Sequence, residues 1–383
     1  MMSQMEAAGV AINEVRPFRV LICDDQADVL EALRLLLKGQ GWQAVAVDSP
    51  RELLRAARTE PCDLILVDLN YTRDTTSGAE GMDLLASLEG QGNQAPVMVM
   101  TAWSSFDLAV EAMRRGACDF IQKPWDNDRL LAAIRKQADS DRRRKSELEI
   151  AANVQQKLFP RRLRLLRTLD YAGHCMAARE VGGDYYDFLE IADHVLGFVL
   201  ADVSGKGVPA ALLMANLQAA FRNQPPGALL RPADALRSVN RHFFEATEAE
   251  RFATLFFGIY DDRTRRLRYV NCGHVAPLLL RASGRLERLG PTATMLGAFR
   301  EWKCAEAQVE LGPRDALILY SDGVTEAGID REEEFGEERL VRAIQENHDR
   351  PAVAMVQRIV DAVADYSGAA RGDDVTVVAL RGI

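Results

Sequence analysis

Two groups of acidic residues in this 383-residue chain stand where side chains can do chemistry. In the first third, RVLIC leads into Asp24 and Asp25, LILV into Asp68, VMVM into Thr101, and DFIQ into Lys123 and Pro124. Later come Asp184 in VGGDYYDFLEI, Asp202 in VLADVSGKG, Asp322 in LILYSDGVTEA and Asp373 in RGDDVTVVAL. Crowded carboxylates raise one another's pKa unless a cation joins them. For the first set the natural cation is Mg2+, which takes oxygen ligands, keeps several waters and touches a phosphate. An aspartate beside such an ion and a lysine suits formation of an aspartyl phosphate. The second set has no His/Cys cluster, which argues against zinc and points to Mg2+ or Mn2+. Two such ions about 3.5–4 Å apart suit an in-line displacement such as phosphate monoester hydrolysis.

These residues need elements to position them. From Arg19 onward, short apolar runs alternate with helical segments five times over. That alternation predicts an α/β, doubly wound, parallel five-stranded domain over 18–133, after a disordered tail at 1–17. In such a sheet the carboxyl ends of the strands line the ligand crevice, so Asp24, Asp25, Asp68, Thr101 and Lys123 should converge. Residues 134–159 contain neither Gly nor Pro, which predicts a helical linker over 134–162. A heptad through Ile134, Ala138, Asp141, Lys145, Leu148, Ala152, Gln155 and Phe159 is apolar at five of eight positions. It leaves two readings open, a solvated spacer helix or the stalk of a homodimer. Beyond it, strands are expected at 171–177, 194–201, 253–260, 267–271, 277–281, 316–320 and 375–380. Helices are expected near 208–222, 232–246, 336–346 and 351–366. Strands grouped apart from helices predict an α+β sandwich over 163–383.

Composition narrows the class. With 48% hydrophobic and 27% charged residues the chain reads as globular. Its apolar runs fall far short of the roughly 20 residues of a membrane span. Acids near the N-terminus are unlike a signal peptide, and six scattered cysteines suggest no disulfide framework, so a cytoplasmic location is expected. The net charge of −9 divides into −8 over 1–133, +5 over 134–162 and −6 over the remainder. An acidic body with one short basic stretch argues against nucleic-acid binding.

Over about 18–135 the ordered set of strand-end residues resembles the receiver domain of two-component response regulators. The resemblance implies that Asp68 is the phosphoacceptor, loaded by a histidine kinase or phosphotransfer protein. Asp24, Asp25, Asp68 and the Asn70 carbonyl would hold Mg2+, and Lys123 would pair with the phosphoryl group. Thr101 and the aromatic Phe120 would follow the switch. A long NYTRDTTSGAEGMDLL stretch departs from the usual short turn after the phosphoacceptor, and Trp103 stands near the site in sequence.

From about 165 onward, VGGDYYDF, ADVSGKGVPAALLMA, FATLFFGIYD, VNCGHVAPLLL, YSDGVTEA and GDDVTVV resemble, in order, the motifs of bacterial SpoIIE-type serine/threonine phosphatases. These are members of the metal-dependent, phosphatase 2C-like PPM family, an αββα sandwich. EIAANVQQKLFP resembles the helix that precedes the domain. The resemblance implies two Mn2+ or Mg2+ ions bridged by Asp202, with the Val203 carbonyl, Asp184, Asp322 and Asp373 completing the set. Asp374 aligns beside the ligand position. His274 in NCGH reads as structural rather than as a general acid. Ser204 stands where the wider family has histidine, which leaves the leaving-group acid unassigned, and Lys206 reads as a solvated turn residue. The resemblance further implies a switch helix over 207–222 and, as substrate, a phosphorylated STAS-domain anti-sigma factor antagonist. The alternative is a catalytically silent adaptor that sequesters or delivers a partner, and aspartate at all four ligand positions argues against it.

Overall fold

The computed structural model describes residues 17–383 apart from 60–61, 70–78, 91–94, 103–105, 162, 248–249, 329–332 and 369–371. The expected disordered tail therefore lies outside the described residues, save Pro17. The chain divides into two compact units, 1–146 and 147–383.

In the first unit β1 (Arg19–Cys23), α1 (Ala27–Lys38), β2 (Gln43–Val47), α2 (Pro50–Thr59), β3 (Leu64–Asp68), α3 (Ala79–Gly90), β4 (Val97–Ala102), α4 (Phe106–Arg114) and β5 (Asp119–Lys123) alternate before α5 (Asn127–Gln155). The strands form one parallel sheet in the order β2-β1-β3-β4-β5. Every residue of β3 is buried, as a strand covered on both faces requires. One face carries Leu33 and Leu37 of α1 with Leu130, Ile134 and Ala138 of α5. The other carries Leu53 of α2 with Leu84, Leu85 and Leu88 of α3.

The boundary expected at 133/134 falls inside α5. That helix starts at Asn127, and its Leu130, Ile134 and Ala138, each four residues apart, are buried in the sheet's core. An i, i+4 apolar stripe binds the first turns to the receiver, and nothing in the following residues breaks the helix before Gln155.

The second unit runs β6 (Leu169–Met176), β7 (Tyr185–Ala192), β8 (Val195–Val203), α6 (Val208–Arg222), α7 (Pro226–Leu229), α8 (Pro232–Ala246), β9 (Ala253–Asp261), β10 (Arg266–Cys272), β11 (Leu278–Leu280), β12 (Leu286–Arg288), β13 (Ala307–Glu310), β14 (Ala316–Tyr320), α9 (Asp322–Thr325), α10 (Gly336–Asn347), α11 (Ala352–Ser367) and β15 (Val375–Gly382). Two antiparallel sheets result, β13-β10-β9-β8-β7 and β12-β11-β14-β15-β6. Their inner faces share one core, in which Phe198, Leu200 and Phe256 meet Leu317, Leu319 and Val378. Helices α6 and α8 cover one outer face through Met214, Leu217, Leu236 and Phe243. Helices α10 and α11 cover the other through Leu340, Ile344, Met355 and Ile359. This is the αββα sandwich.

Strand β7 was not anticipated, because Asp187 and Glu190 interrupt its apolar run. Asp187 is fully buried nonetheless: Arg222 Nε donates to it at 2.6 Å and the Tyr185 hydroxyl at 2.8 Å. A buried carboxylate saturated in this way is tolerated in a strand interior.

Candidate functional site

The order β2-β1-β3-β4-β5 reverses direction between β1 and β3, and an open α/β sheet binds ligands at the crevice where the order reverses. Asp24 and Asp25 follow β1, and Asp68 ends β3. One oxygen from each of the three lies within 4.8 Å of the others. Lys123, the last residue of β5, reaches in with Nζ at 2.5 Å from Asp24 and 2.7 Å from Asp68. Asp24 and Asp68 are buried, and Asp24 also accepts from the Gln26 amide at 3.0 Å. Thr101 is buried on β4, where it pairs with Gln122 in the register of β5. Phe120 is half-buried on β5 against the core that contains Val67 and Val99. Asn70 and Trp103 lie outside the described residues. Three carboxylates against one ammonium leave negative charge in excess, and a hard cation with oxygen ligands fits that donor set.

In the second unit the site is assembled from two sheets. Asp184 immediately precedes β7 and Asp202 lies near the end of β8, strands that pair antiparallel with Tyr185 opposite Ala201. Asp322 follows β14 and opens α9, and Asp373 precedes β15, which pairs with β14 through Tyr320 and Val377. Each sheet thus contributes two aspartates from neighbouring strand ends. Gly183 lies so near the predicted carbonyl ligand that a Cβ there would sit 2.8 Å from Val203 O.

The electrostatics show that the four share one environment. Burial, then Asp322, Asp373 and Asp374, push Asp202 up to about 7, with Lys206 pulling the other way. Burial, then Asp202 and Asp374, hold Asp184 well above the usual carboxylate range, against hydrogen bonds from Thr376 and Ser321. Burial and Asp373 raise Asp322 as well. Unlike the receiver trio, no three of these acids bring oxygens within 4.8 Å of one another. A set of oxygen donors short of positive charge fits divalent cations such as Mg2+ or Mn2+.

Asp373 and Asp374 differ in their surroundings. Asp374 is buried, and its oxygens accept from the amides of Ala178 at 2.7 Å, Gly183 at 2.7 Å and Asp184 at 3.2 Å. Asp373 is partly exposed and paired to Lys206 Nζ at 2.7 Å. Lys206 also donates to the Gly372 carbonyl at 2.7 Å, so this solvated turn residue, its side chain exposed, is also bonded to the site. His274 is a bolt between the sheets: Nε2 donates to Tyr320 O at 3.1 Å and Nδ1 accepts from the Thr254 hydroxyl at 2.9 Å. Thr254 pairs with Asp202 in β9, and Tyr320 lies two residues before Asp322. Burial lowers the His274 pKa to about 4, and both of its ring nitrogens are engaged within the fold. Ser204 accepts the Phe252 amide at 3.0 Å and its own carbonyl takes Arg251 Nη1 at 3.1 Å.

Three residues have roles that the sequence reading did not give them. Thr376 donates its hydroxyl from β15 to Asp184 across the sandwich. Asp374 fixes the backbone of the segment that carries Asp184. Gln155, the last residue of α5, is buried and makes two hydrogen bonds with Gly182, donating to its carbonyl at 2.8 Å and accepting its amide at 3.1 Å. A lone threonine among valines and a glutamine inside a polar helix carry no local signal of such roles.

Comparisons with known proteins agree with this geometry. The family model for stage II sporulation protein E (SpoIIE) matches residues 192–382, and that for the response regulator receiver domain matches 20–135. Phosphoserine phosphatase RsbU of Bacillus subtilis is 31% identical over 62% of this chain and 70% of its own length. Transcriptional regulatory protein ZraR of Escherichia coli is 33% identical over 30% of this chain and 25% of its own. Among solved structures, the SiaA-PP2C domain of Pseudomonas aeruginosa shares the fold with a TM-score of 0.53 at 20% identity, covering 64% of this chain and 98% of that one. With both models matched in order and the RsbU likeness extending over most of that relative, the chain belongs to the SpoIIE-type branch of the PPM phosphatase family and carries a response regulator receiver domain ahead of the phosphatase domain.

Proposed function

We propose that this protein is a response regulator with an enzymatic output, a metal-dependent protein serine/threonine phosphatase controlled by phosphorylation of Asp68. The observation that carries the reading is the placing of Asp184 and Asp202 at neighbouring strand ends of one sheet and of Asp322 and Asp373 at neighbouring strand ends of the other, close enough to raise the pKa of Asp202. Asp202 and the Val203 carbonyl would hold the centre, with Asp184, Asp322 and Asp373 completing a set for two Mn2+ or Mg2+ ions. Such ions, when bound, neutralise phosphoryl oxygens and activate water for in-line attack. The protein's own groups orient the set: Thr376 holds Asp184, Lys206 holds Asp373, and His274 locks the two sheet edges at a fixed separation.

In the receiver, Asp68 would accept the phosphoryl group from a histidine kinase or phosphotransfer protein, with Mg2+ held by Asp24, Asp25 and Asp68 and with Lys123 steadying the acyl phosphate. Helix α5 is the route to the phosphatase, and the Gln155 clamp on Gly182, two residues before Asp184, supports it. Part of the heptad is already used, since Ile134 and Ala138 pack in the receiver and Phe159 lies against Tyr186. Ile150 and Val154, exposed one turn apart, are the better candidates for pairing two copies. The likeness to phosphoserine phosphatase RsbU supports a phosphoserine substrate, and the motif resemblance names the candidate, a phosphorylated STAS-domain anti-sigma factor antagonist.

The test is Mn2+- or Mg2+-dependent hydrolysis of a generic phosphomonoester and of phosphorylated STAS protein. Wild type and Asp202→Ala are compared with and without a small-molecule phosphoryl donor. The expected result is turnover that falls by on the order of 10³-fold in the variant, with a donor effect that disappears in Asp68→Ala. Metal binding with both substrates left intact would instead establish the adaptor.

A further inference from the structure

Beside the aspartate set a cleft of about 130 Å³ opens between α9, the end of α11 and the residues leading into β15. Small-molecule sites run to about 300–1,000 Å³. This cleft is too small for a nucleotide or organic cofactor and matches the end of one long side chain. Its walls include Lys206, Glu326, Ser367 and Asp373. Lys206 and Asp373 satisfy each other at 2.7 Å. The other two do not. Ser367 is 7% exposed, and its Oγ is buried with no hydrogen-bond partner among the described residues. The Glu326 carboxylate forms no hydrogen bond or ion pair among the described residues. Asp322, Glu334 and Asp373 repel its charge, which Lys206 offsets only in part.

A carboxylate and a buried hydroxyl that have no partner among the described residues, in one small cleft, ask for a group that is cationic and rich in N–H donors. An anion would meet two carboxylates on entering. Asp373 belongs both to the cleft and to the proposed metal set, so whatever occupies the cleft lies next to the reacting phosphoryl group. We propose that this cleft is the subsite for a lysine or arginine side chain flanking the phosphoserine or phosphothreonine of the protein substrate. The inference rests on the phosphatase reading and adds a sequence preference to it. In it Glu326 takes the charge and Ser367 Oγ accepts one N–H.

The probes are phosphoserine peptides carrying Arg, Ala or Glu at each flanking position in turn, hydrolysed by the full chain with Mn2+. At one position wild type should favour Arg over Ala by about three- to fivefold in kcat/KM, the scale of a partly exposed ion pair. Glu326→Gln should erase that preference, Ser367→Ala should weaken it, and Glu326→Arg should turn it toward the Glu peptide. Turnover of p-nitrophenyl phosphate should be the same in all four proteins. Equal peptide preference in wild type and Glu326→Gln would overturn the subsite, since water alone then fills the cleft. So would the absence of any preference while the small ester is still hydrolysed, and the phosphatase reading would survive both results. A wild-type protein that hydrolyses neither ester nor peptide would overturn the phosphatase reading and the subsite together.

Discussion

The two acidic sites solve the same problem, crowded carboxylates, in different ways. In the receiver three aspartates come from one parallel sheet, and their counter-charge is built in: Lys123 bonds two of them at 2.5 and 2.7 Å with its side chain only 17% exposed. In the phosphatase domain the aspartates come from two sheets, and the nearest ammonium, Lys206, stands at the rim with its side chain 49% exposed. The consequence is visible in Asp202, pushed up to about 7. One sheet edge makes a compact site that supplies part of its own counter-charge and is suited to a single ion. Two facing edges make a wider site that depends on added cations for its charge balance.

That contrast is open to attack, beginning with the two lysines. Lys123→Ala should cost the receiver on the order of 3 kcal/mol in a chelator, because it strands buried carboxylates, and Mg2+ should restore much of it. Lys206→Ala should cost under about 1 kcal/mol of stability, as expected for an exposed pair. Urea denaturation of each variant, with and without metal, measures both. Equal costs would remove the distinction between a site with a buried counter-charge and one whose counter-charge stands at the rim.

A second attack goes through His274, whose folded pKa of about 4 lies below its ordinary 6.5. The unfolded chain protonates first on acidification, so the stability tied to neutral His274 is complete above about pH 6.5. It is lost as the pH falls toward 4, by about 3 kcal/mol in all. Denaturation at saturating Mn2+ should show wild type losing more stability than His274→Asn between pH 7 and pH 5. Parallel profiles would remove His274 from its place as the neutral bolt between the sheets.

A smaller effect than that at His274 is expected at Gln155. Gln155→Ala leaves the amide and carbonyl of Gly182 without their partner, at about 1–2 kcal/mol. It should also raise the Mn2+ concentration needed for half-maximal turnover by a few fold, whereas Asp68 phosphorylation should be unaffected. Titration of activity against Mn2+ alongside acyl-phosphate labelling separates the two sites, and a loss of labelling would show that the clamp serves the receiver instead.

Much of this architecture is legible in local pattern. Alternating apolar strands and amphipathic helices announce the parallel sheet, because a strand covered on both faces must be apolar throughout, as LILVD is. Once the strands are known, their carboxyl ends name Asp24, Asp25, Asp68 and Lys123. Strand β7 was missed because the burial of Asp187 depends on Arg222, 35 residues away, and no local rule anticipates it. The receiver's last helix and the linker were read as two segments because they are one uninterrupted helix whose pattern does not change along its length.

The sequence by itself determined which residue types were available for chemistry and which backbone states they favoured, since propensity and hydrophobic period act over a few neighbouring residues. It named the aspartates. Only the tertiary structure decided how they are held. The hydroxyl of Thr376 reaches Asp184 across 192 positions of chain, Asp374 takes the Gly183 amide across 191, and the His274 ring reaches Tyr320 across 46. Such partners meet because two sheets must bury their inner faces against each other, and the register of that packing is set by the whole core.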